Sequence, residues 1–352
     1  MIKENPYIQK IASSAQDFLF FMIGAHGISQ AIAVASRLGI PDLLSSEPKT
    51  VTWLAEKLEC DRDNLERLLL CLCDMGFFTF KSDETIALNE VSEFLKSDHP
   101  QSLAVPASIR SYEYDWMPWG ELYNTVKNGG VCFERVFHTD FYSYLSKNPE
   151  INQLFNKNMG NITRLTLFDS VVALLNVNDI NHIVDVGGGK GDLIITLLKK
   201  NEHLKGTIFD QIHLESQAKK LILEHNLENR CEWIGGDFFQ GIPSADALIL
   251  SEILHGWNDV QALEIIKNCR KSISNKGKIF LIERVIDSKI DSHNIGDKSR
   301  NLINLTMAVF TGGKERTEGE LRKLLEEAQF ALEFIQPIKG WSGLKLIQAK
   351  SV

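Results

Sequence analysis

The sequence predicts an α/β protein in which a parallel sheet occupies the C-terminal half, behind a helical unit that closes in a short hairpin. Three observations predict it. From Ile183 onward, short apolar runs alternate with amphipathic stretches long enough for crossover helices. The first of those runs leads straight into a glycine-rich turn. Before residue 90, apolar residues recur at helical spacing in three segments. At 352 residues, 44% hydrophobic and 24% charged, the chain is long enough for two packed units, and it is unlike a disordered, collagenous or disulfide-dense sequence.

The first helical pattern covers residues 28 to 47 and stops at Gly39, with Pro41 just beyond, a helix-end signature. Upstream, Phe18 to Ala35 approaches the length of a membrane span. It carries His26, Ser29 and Gln30 and lacks a basic leading region, so it is expected to be a helix buried in a core or a subunit interface. No signal peptide and no membrane span are expected. A short helix begins near Thr52, and another (NLERLLLCLCDMG) ends at Gly76. FFTFKSDETIAL then gives two β-rich runs around a polar turn. Helix, helix, helix, hairpin is the order of a winged helix, assigned to residues 1–110. Residues 111–352 then hold bridging helices rich in aromatic residues, followed by the sheet. IVDV, GTIFD, CEWIG, DALIL and KIFLIE are its strands, and ALEFIQPI with GLKLIQAK resembles a terminal hairpin with one antiparallel strand.

Charge narrows the partners. A net charge of -8 argues against nucleic acid, and residues 51–96 carry five basic residues against ten acids, unlike a DNA-reading winged helix. Six cysteines without CxxC or zinc-finger spacing are expected to be free thiols of a reducing compartment, the cytoplasm.

The glycine turn carries the first chemistry. Asp185-Val186-Gly187-Gly188-Gly189-Lys190-Gly191 follows a buried run and opens a helix. Glycine lets the backbone of Gly187 and Gly189 approach a ligand closely, and the helix start offers free N–H groups. Asp210 ends the next run, about 20 residues on, where an acid accepts hydrogen bonds from ribose hydroxyls. A dinucleotide fingerprint needs a third glycine at position 192, which is Asp192 here. Asp185 also suits an ammonium group better than a pyrophosphate. The pattern therefore favours S-adenosylmethionine over a nicotinamide cofactor. Asp237 and Phe238, after the third strand, are placed to accept from an adenine amino group and to cover its ring.

With VDVGGGKG (184–191), FD (209–210), GGDFF (235–239), ILHGWND (253–259), IER (282–284) and GGKERTEGEL (312–321), the chain resembles the S-adenosylmethionine-dependent O-methyltransferases of the plant caffeic acid and animal hydroxyindole type, with relatives in bacterial natural-product pathways. The resemblance runs over nearly the whole chain. It implies a class I methyltransferase Rossmann-like sheet, an N-terminal winged-helix dimerisation domain, a homodimer, a small aromatic substrate and no metal. His255 matches the general base, flanked by Glu283 and Glu315, and Ser251 is compatible with a hydrogen bond to the cofactor. A phenol of pKa about 10 is a poor nucleophile until its proton leaves, and an imidazole near 6.5 is expected to be largely neutral and ready to take it. Phe155, Met159, Thr306, Met307 and Phe310 stand where substrate-wall residues would be, although each serves equally well as ordinary core. Two departures stand out. Gly256 replaces the Asp that usually follows the histidine, which keeps open C- or N-methylation or a non-methylating reaction. Glu252 is unexpected beside the cofactor and is expected to face solvent.

Overall fold

The computed structural model describes residues 14–81, 84–165, 168–286, 298–338 and 343–352, without the side chains of 161–165 and 298–300. Residues up to Met117 group with Asn148–Ile162, and Pro118–Lys147 groups with Thr163–Val352.

In the first unit, helix α1 (Ala15–Arg37) starts at Ser14, whose hydroxyl accepts from Asp17 N, and ends before Gly39 at φ +70°. Strand β1 (Lys49–Thr50) leads into α2 (Val51–Leu58) and α3 (Arg62–Asp74), which are capped by the side chains of Thr50 and Asp61. The hairpin β2 (Thr79–Phe80) and β3 (Thr85–Ala87) completes an antiparallel sheet in the order β1-β3-β2. Ile40, Leu54, Leu69, Leu72 and Ile86 form its core.

Of the two expectations for helix α1, core or subunit interface, its first half does not meet the core one within a single chain. By length and composition it could cross a membrane. Its second half is tied down, with Gln30 donating to the Arg110 carbonyl at 2.7 Å and the Arg37 guanidinium 3.9 Å above the Tyr112 ring. Leu19, Phe20 and Ile23 are 61%, 80% and 66% exposed, so within one chain the first half presents an uncovered apolar face.

In the second unit, β4 (His182–Val186), β5 (Lys205–Asp210), β6 (Cys231–Gly235), β7 (Ala245–Ser251) and β8 (Ile273–Ile286) run parallel. A short β9 (Arg316–Thr317) pairs with the end of β8. The tail forms β10 (Phe330–Pro337) and β11 (Leu344–Ser351), in the sheet order β10-β11-β8-β7-β4-β5-β6. β11 is antiparallel to both of its neighbours, which makes it the antiparallel strand expected from the sequence. Successive strand residues face opposite sides. Ile183, Ile208, Ile249 and Phe280 pack with α4 (Asp192–Lys200) and α5 (Glu215–Glu224). Val184, Phe209, Leu250 and Leu281 pack with α6 (Asp259–Ser272) and, beyond α7 (Lys298–Phe310), with α8 (Glu318–Glu327). Burial on both faces explains why these strands read as continuous apolar runs.

The chain leaves β4 in one direction for β5 and β6, then returns to β4's other side for β7. Open α/β sheets bind ligands at such a reversal, beyond the strand C-termini. Arg230 helps fix this side of the sheet. Its guanidinium donates to the carbonyls of Asn201 and Leu204 at 3.0 Å each and of Leu198 at 3.1 Å, which terminates α4. Arg230→Ala is expected to cost about 2 kcal/mol of stability, read as a lower denaturation midpoint, with Arg230→Lys recovering part of it. An unchanged midpoint in Arg230→Ala would show these bonds to be without net value.

Candidate active site

The glycine turn leaves β4 with Gly187 at φ +72°, Gly189 at +59° and Gly191 at +93°. A Cβ on Gly191 would lie 2.2 Å from the Ile208 side chain, so glycine is required there by both conformation and space. Gly189 N–H donates to Asp210 Oδ2 at 2.7 Å, and Gln211 N–H donates to Oδ1 at 2.6 Å. These bonds fix the Asp210 carboxylate while each oxygen keeps accepting capacity. Asp185 is 1% exposed, and its Oδ2 is buried with no hydrogen-bond partner among the described residues. Burial first, and the Asp210 charge second, push its carboxyl up to about 7. Beyond β6, Asp237 is exposed and accepts from Phe239 N–H at 2.9 Å. Phe238 and Phe239 meet the Trp257 ring edge-on, and Asn268 holds both of their carbonyls at 3.0 Å.

His255 lies beyond the end of β7. β7 stops at Ser251, Glu252 takes a left-handed φ of +53°, and His255 lies on the 3-10 turn Leu254–Gly256. Four hydrogen bonds and one close backbone approach fix that turn. Glu283 Oε1 accepts from the N–H groups of Ile253 at 3.0 Å and Leu254 at 2.7 Å. Arg316 donates to the carbonyls of Leu254 and Trp257, each at 2.7 Å. Gly313 lies against the turn so closely that its Cβ would fall 2.1 Å from the His255 carbonyl. His255 Nδ1 donates to Glu315 Oε1 at 2.9 Å, while Asn304 accepts from Glu315 N–H at 2.9 Å. Thus Glu315 partners the imidazole and Glu283 partners the backbone that carries it.

The carboxylates reverse the expectation of a neutral imidazole. Burial alone would lower the His255 pKa, but the Glu315 hydrogen bond and the charges of Glu283, Glu315 and Glu252 outweigh it and push it up to about 9. Glu283 itself is raised to about 7, chiefly by burial. Glu252 also departs from its expected place: it is ion-paired with the buried guanidinium of Arg284 instead of facing solvent. Arg284 in turn lies 3.9 Å from Glu315 Oε1.

Residues 119–331 match the O-methyltransferase domain, and residues 21–98 match the O-methyltransferase dimerisation domain. The chain is 31% identical over 337 residues to the phenazine O-methyltransferase PhzM of Lysobacter antibioticus, covering 95% of this chain and 96% of that one. The chain belongs to the O-methyltransferase family. Among solved structures, the mitomycin 7-O-methyltransferase MmcR superposes with a TM-score of 0.89 at 28% identity, covering 96% of this chain and 98% of that one. NcsB1, an O-methyltransferase of neocarzinostatin biosynthesis in complex with S-adenosylmethionine and 2-hydroxy-5-methyl naphthoic acid, superposes with 0.82 at 26% identity, covering 92% and 96%. These relatives are all O-methyltransferases, which does not favour the altered chemistry that Gly256 left open.

The wall positions of this O-methyltransferase are uneven. Phe310 is buried in an aromatic cluster with Phe133 and Phe141. The Thr306 hydroxyl donates to its own helix at Leu302 O, and Met307 is half-buried beside it. Phe155 and Met159 stand one turn apart on the helix Pro149–Leu165, in the stretch Asn148–Ile162 that groups with the first unit. Sequence reasoning missed Arg284, Arg316, Gly313 and Tyr142. ER of IER and GGKER contain the first three, yet nothing local shows that they meet the His255 turn.

Because the Glu283 charge raises the His255 pKa while its oxygen holds the turn, Glu283→Gln separates the two effects. The variant is expected to stay folded and to show His255 titrating at a lower pH by histidine NMR. An unmoved titration would leave Glu283 without electrostatic influence on the imidazole.

Proposed function

We propose that this O-methyltransferase transfers a methyl group from S-adenosylmethionine to a phenolic hydroxyl of a small planar aromatic molecule, with His255 taking the proton. The observation that carries this reading is the 2.9 Å Nδ1 bond from His255 to buried Glu315, at the same sheet rim as the glycine turn. The cradle fits the cofactor. The unpartnered, buried Oδ2 of Asp185 is an acceptor suited to its ammonium group. The Gly187 and Gly189 backbone makes room for it, Asp210 suits its ribose hydroxyls, and Asp237, Phe238 and Ser251 suit the adenine and the rim. When bound, S-adenosylmethionine supplies a methyl group on a positively charged sulfur, open to in-line attack by the acceptor oxygen.

Glu315 fixes the ring so that Nε2 remains for the acceptor proton, and it stabilises the imidazolium that results. A His255 pKa of about 9 lies close to that of a phenol near 10, so the transfer is nearly balanced. The same value leaves His255 protonated at neutral pH, and the rate is expected to rise with pH between about 7 and 9. Ligand-capable atoms of His255, Glu283 and Glu315 lie within 4.8 Å of one another. We assign them to proton transfer, because Nδ1 and Glu315 Oε1 bond to each other and Glu283 Oε1 holds two backbone N–H groups of the turn that carries the imidazole. We also place the protein in the cytoplasm, on the ground that all six cysteines are free.

We further propose a homodimer in which a second copy covers the exposed face of α1. The dimerisation-domain match over residues 21–98 and the exposure of Leu19, Phe20 and Ile23 support it.

With a phenol that the wild-type enzyme methylates, His255→Ala is expected to lower turnover about 100-fold or more while S-adenosylhomocysteine affinity by calorimetry stays nearly unchanged. Asp210→Ala is expected to do the reverse, weakening that affinity first. An active His255→Ala enzyme would remove the histidine from the reaction, and full affinity in Asp210→Ala would remove the ribose assignment. For the dimer, Phe20→Glu combined with Ile23→Glu is expected to shift the protein to monomer in sedimentation, and an unshifted dimer would place the interface elsewhere.

A further inference from the structure

Gly256 has no conformational reason to be glycine, since its φ lies outside the left-handed region. What excludes a side chain is Tyr142. A Cβ built on Gly256 would lie 2.7 Å from the Tyr142 hydroxyl oxygen and 3.9 Å from Cζ, and no other described atom beyond its chain neighbours comes within 4 Å. The tyrosine is not free to retreat. Its ring stacks on Trp257 with centroids 5.0 Å apart at 21°, and Phe141 meets it edge-on at 5.6 Å. One side chain therefore covers both residues that follow His255, the hydroxyl over Gly256 and the ring over Trp257.

We propose that Tyr142 and Gly256 form a steric lock that sets the position of His255, which makes Tyr142 a positioning residue for the base. Glu283 and Arg316 hold the backbone of the turn by hydrogen bonds. Tyr142 adds a contact from the helix Phe141–Lys147, outside the sheet. The lock is insensitive to pH over the working range. Burial, then the charges of Asp210, Asp140 and Glu283, push the Tyr142 hydroxyl up to about 12, so it stays neutral. The groups facing His255 are Glu315, Glu283 and Glu252, with Arg284 paired to Glu252.

The inference rests on His255 being the base, but its test needs no turnover. Histidine-labelled, ligand-free protein is titrated by NMR as wild type, Tyr142→Phe, Gly256→Ala, the double variant and Tyr142→Ala. Gly256→Ala is expected to displace the tyrosine, loosen the bond to Glu315 and lower the His255 titration by about one pH unit. Tyr142→Phe, which keeps the stacked ring, is expected to leave it unmoved. In the Tyr142→Phe background Gly256→Ala is expected to do nothing, because the nearest remaining ring atom is at an ordinary 3.9 Å. Tyr142→Ala reports on the lock independently, should Gly256→Ala fail to fold, and is expected to lower the titration as well. An equal effect of Gly256→Ala in both backgrounds overturns the proposal, as does an unmoved titration in Tyr142→Ala. Activity in His255→Ala would instead remove the base assignment while leaving these titrations as they are, so the two failures are distinguishable.

Discussion

The geometry of this site depends on one buried carboxylate. Glu283, 3% exposed near the end of β8, accepts the N–H groups of Ile253 and Leu254, which stand at the start of a 3-10 turn and have no partner within it. Burying a carboxylate is costly unless its oxygens are bonded, and leaving two backbone donors unpaired in the same place would be costly too. Oε1 satisfies both donors, while burial still raises the carboxyl to about 7. The consequence reaches His255, because a turn bonded to a strand inside a three-layer sandwich has little freedom to carry the imidazole elsewhere.

Charge is arranged around that bond with the same economy of groups. Glu252, Glu283 and Glu315 bring three carboxyl groups to one pocket, while Arg284 is their close fixed cation, paired to Glu252 and 3.9 Å from Glu315. Arg316 is spent on the turn carbonyls and on Asp259 at 3.0 Å. The remaining negative charge favours the imidazolium, which is why burial does not win at His255 although it wins at Asp185 and Glu283. Asp185 has carboxylates and no cation among the groups that shift it, whereas His255 has three carboxylates.

Local signals made the cradle legible in the sequence. The glycine turn, the acid ending the next strand and the antiparallel tail strand each follow from a run of a few residues. The His255 turn was only partly legible, because Glu252 takes a left-handed backbone that its residue type does not announce. The pairing of Glu252 with Arg284 joins positions 32 residues apart, and no periodicity reports it. Helix α1 illustrates a different limit. A core helix and an interface helix share one apolar period, and only the packing of the chain shows that Ala33 and Ala35 are enclosed while Phe20 is not.

The cradle and the base are therefore built under different constraints. At Gly187 and Gly191 a Cβ would come within 2.4 and 2.2 Å of the side chains of Ile253 and Ile208, so the turn and the sheet core fix each other and leave little room for variation. Ile253 also lies in the stretch held by Glu283, so the same residue touches the cradle and leads into the base. Tyr142, by contrast, comes from a segment that contributes no strand, and it stands over Gly256 and Trp257 with Asp210 and Glu283 near enough for their charges to act on its hydroxyl.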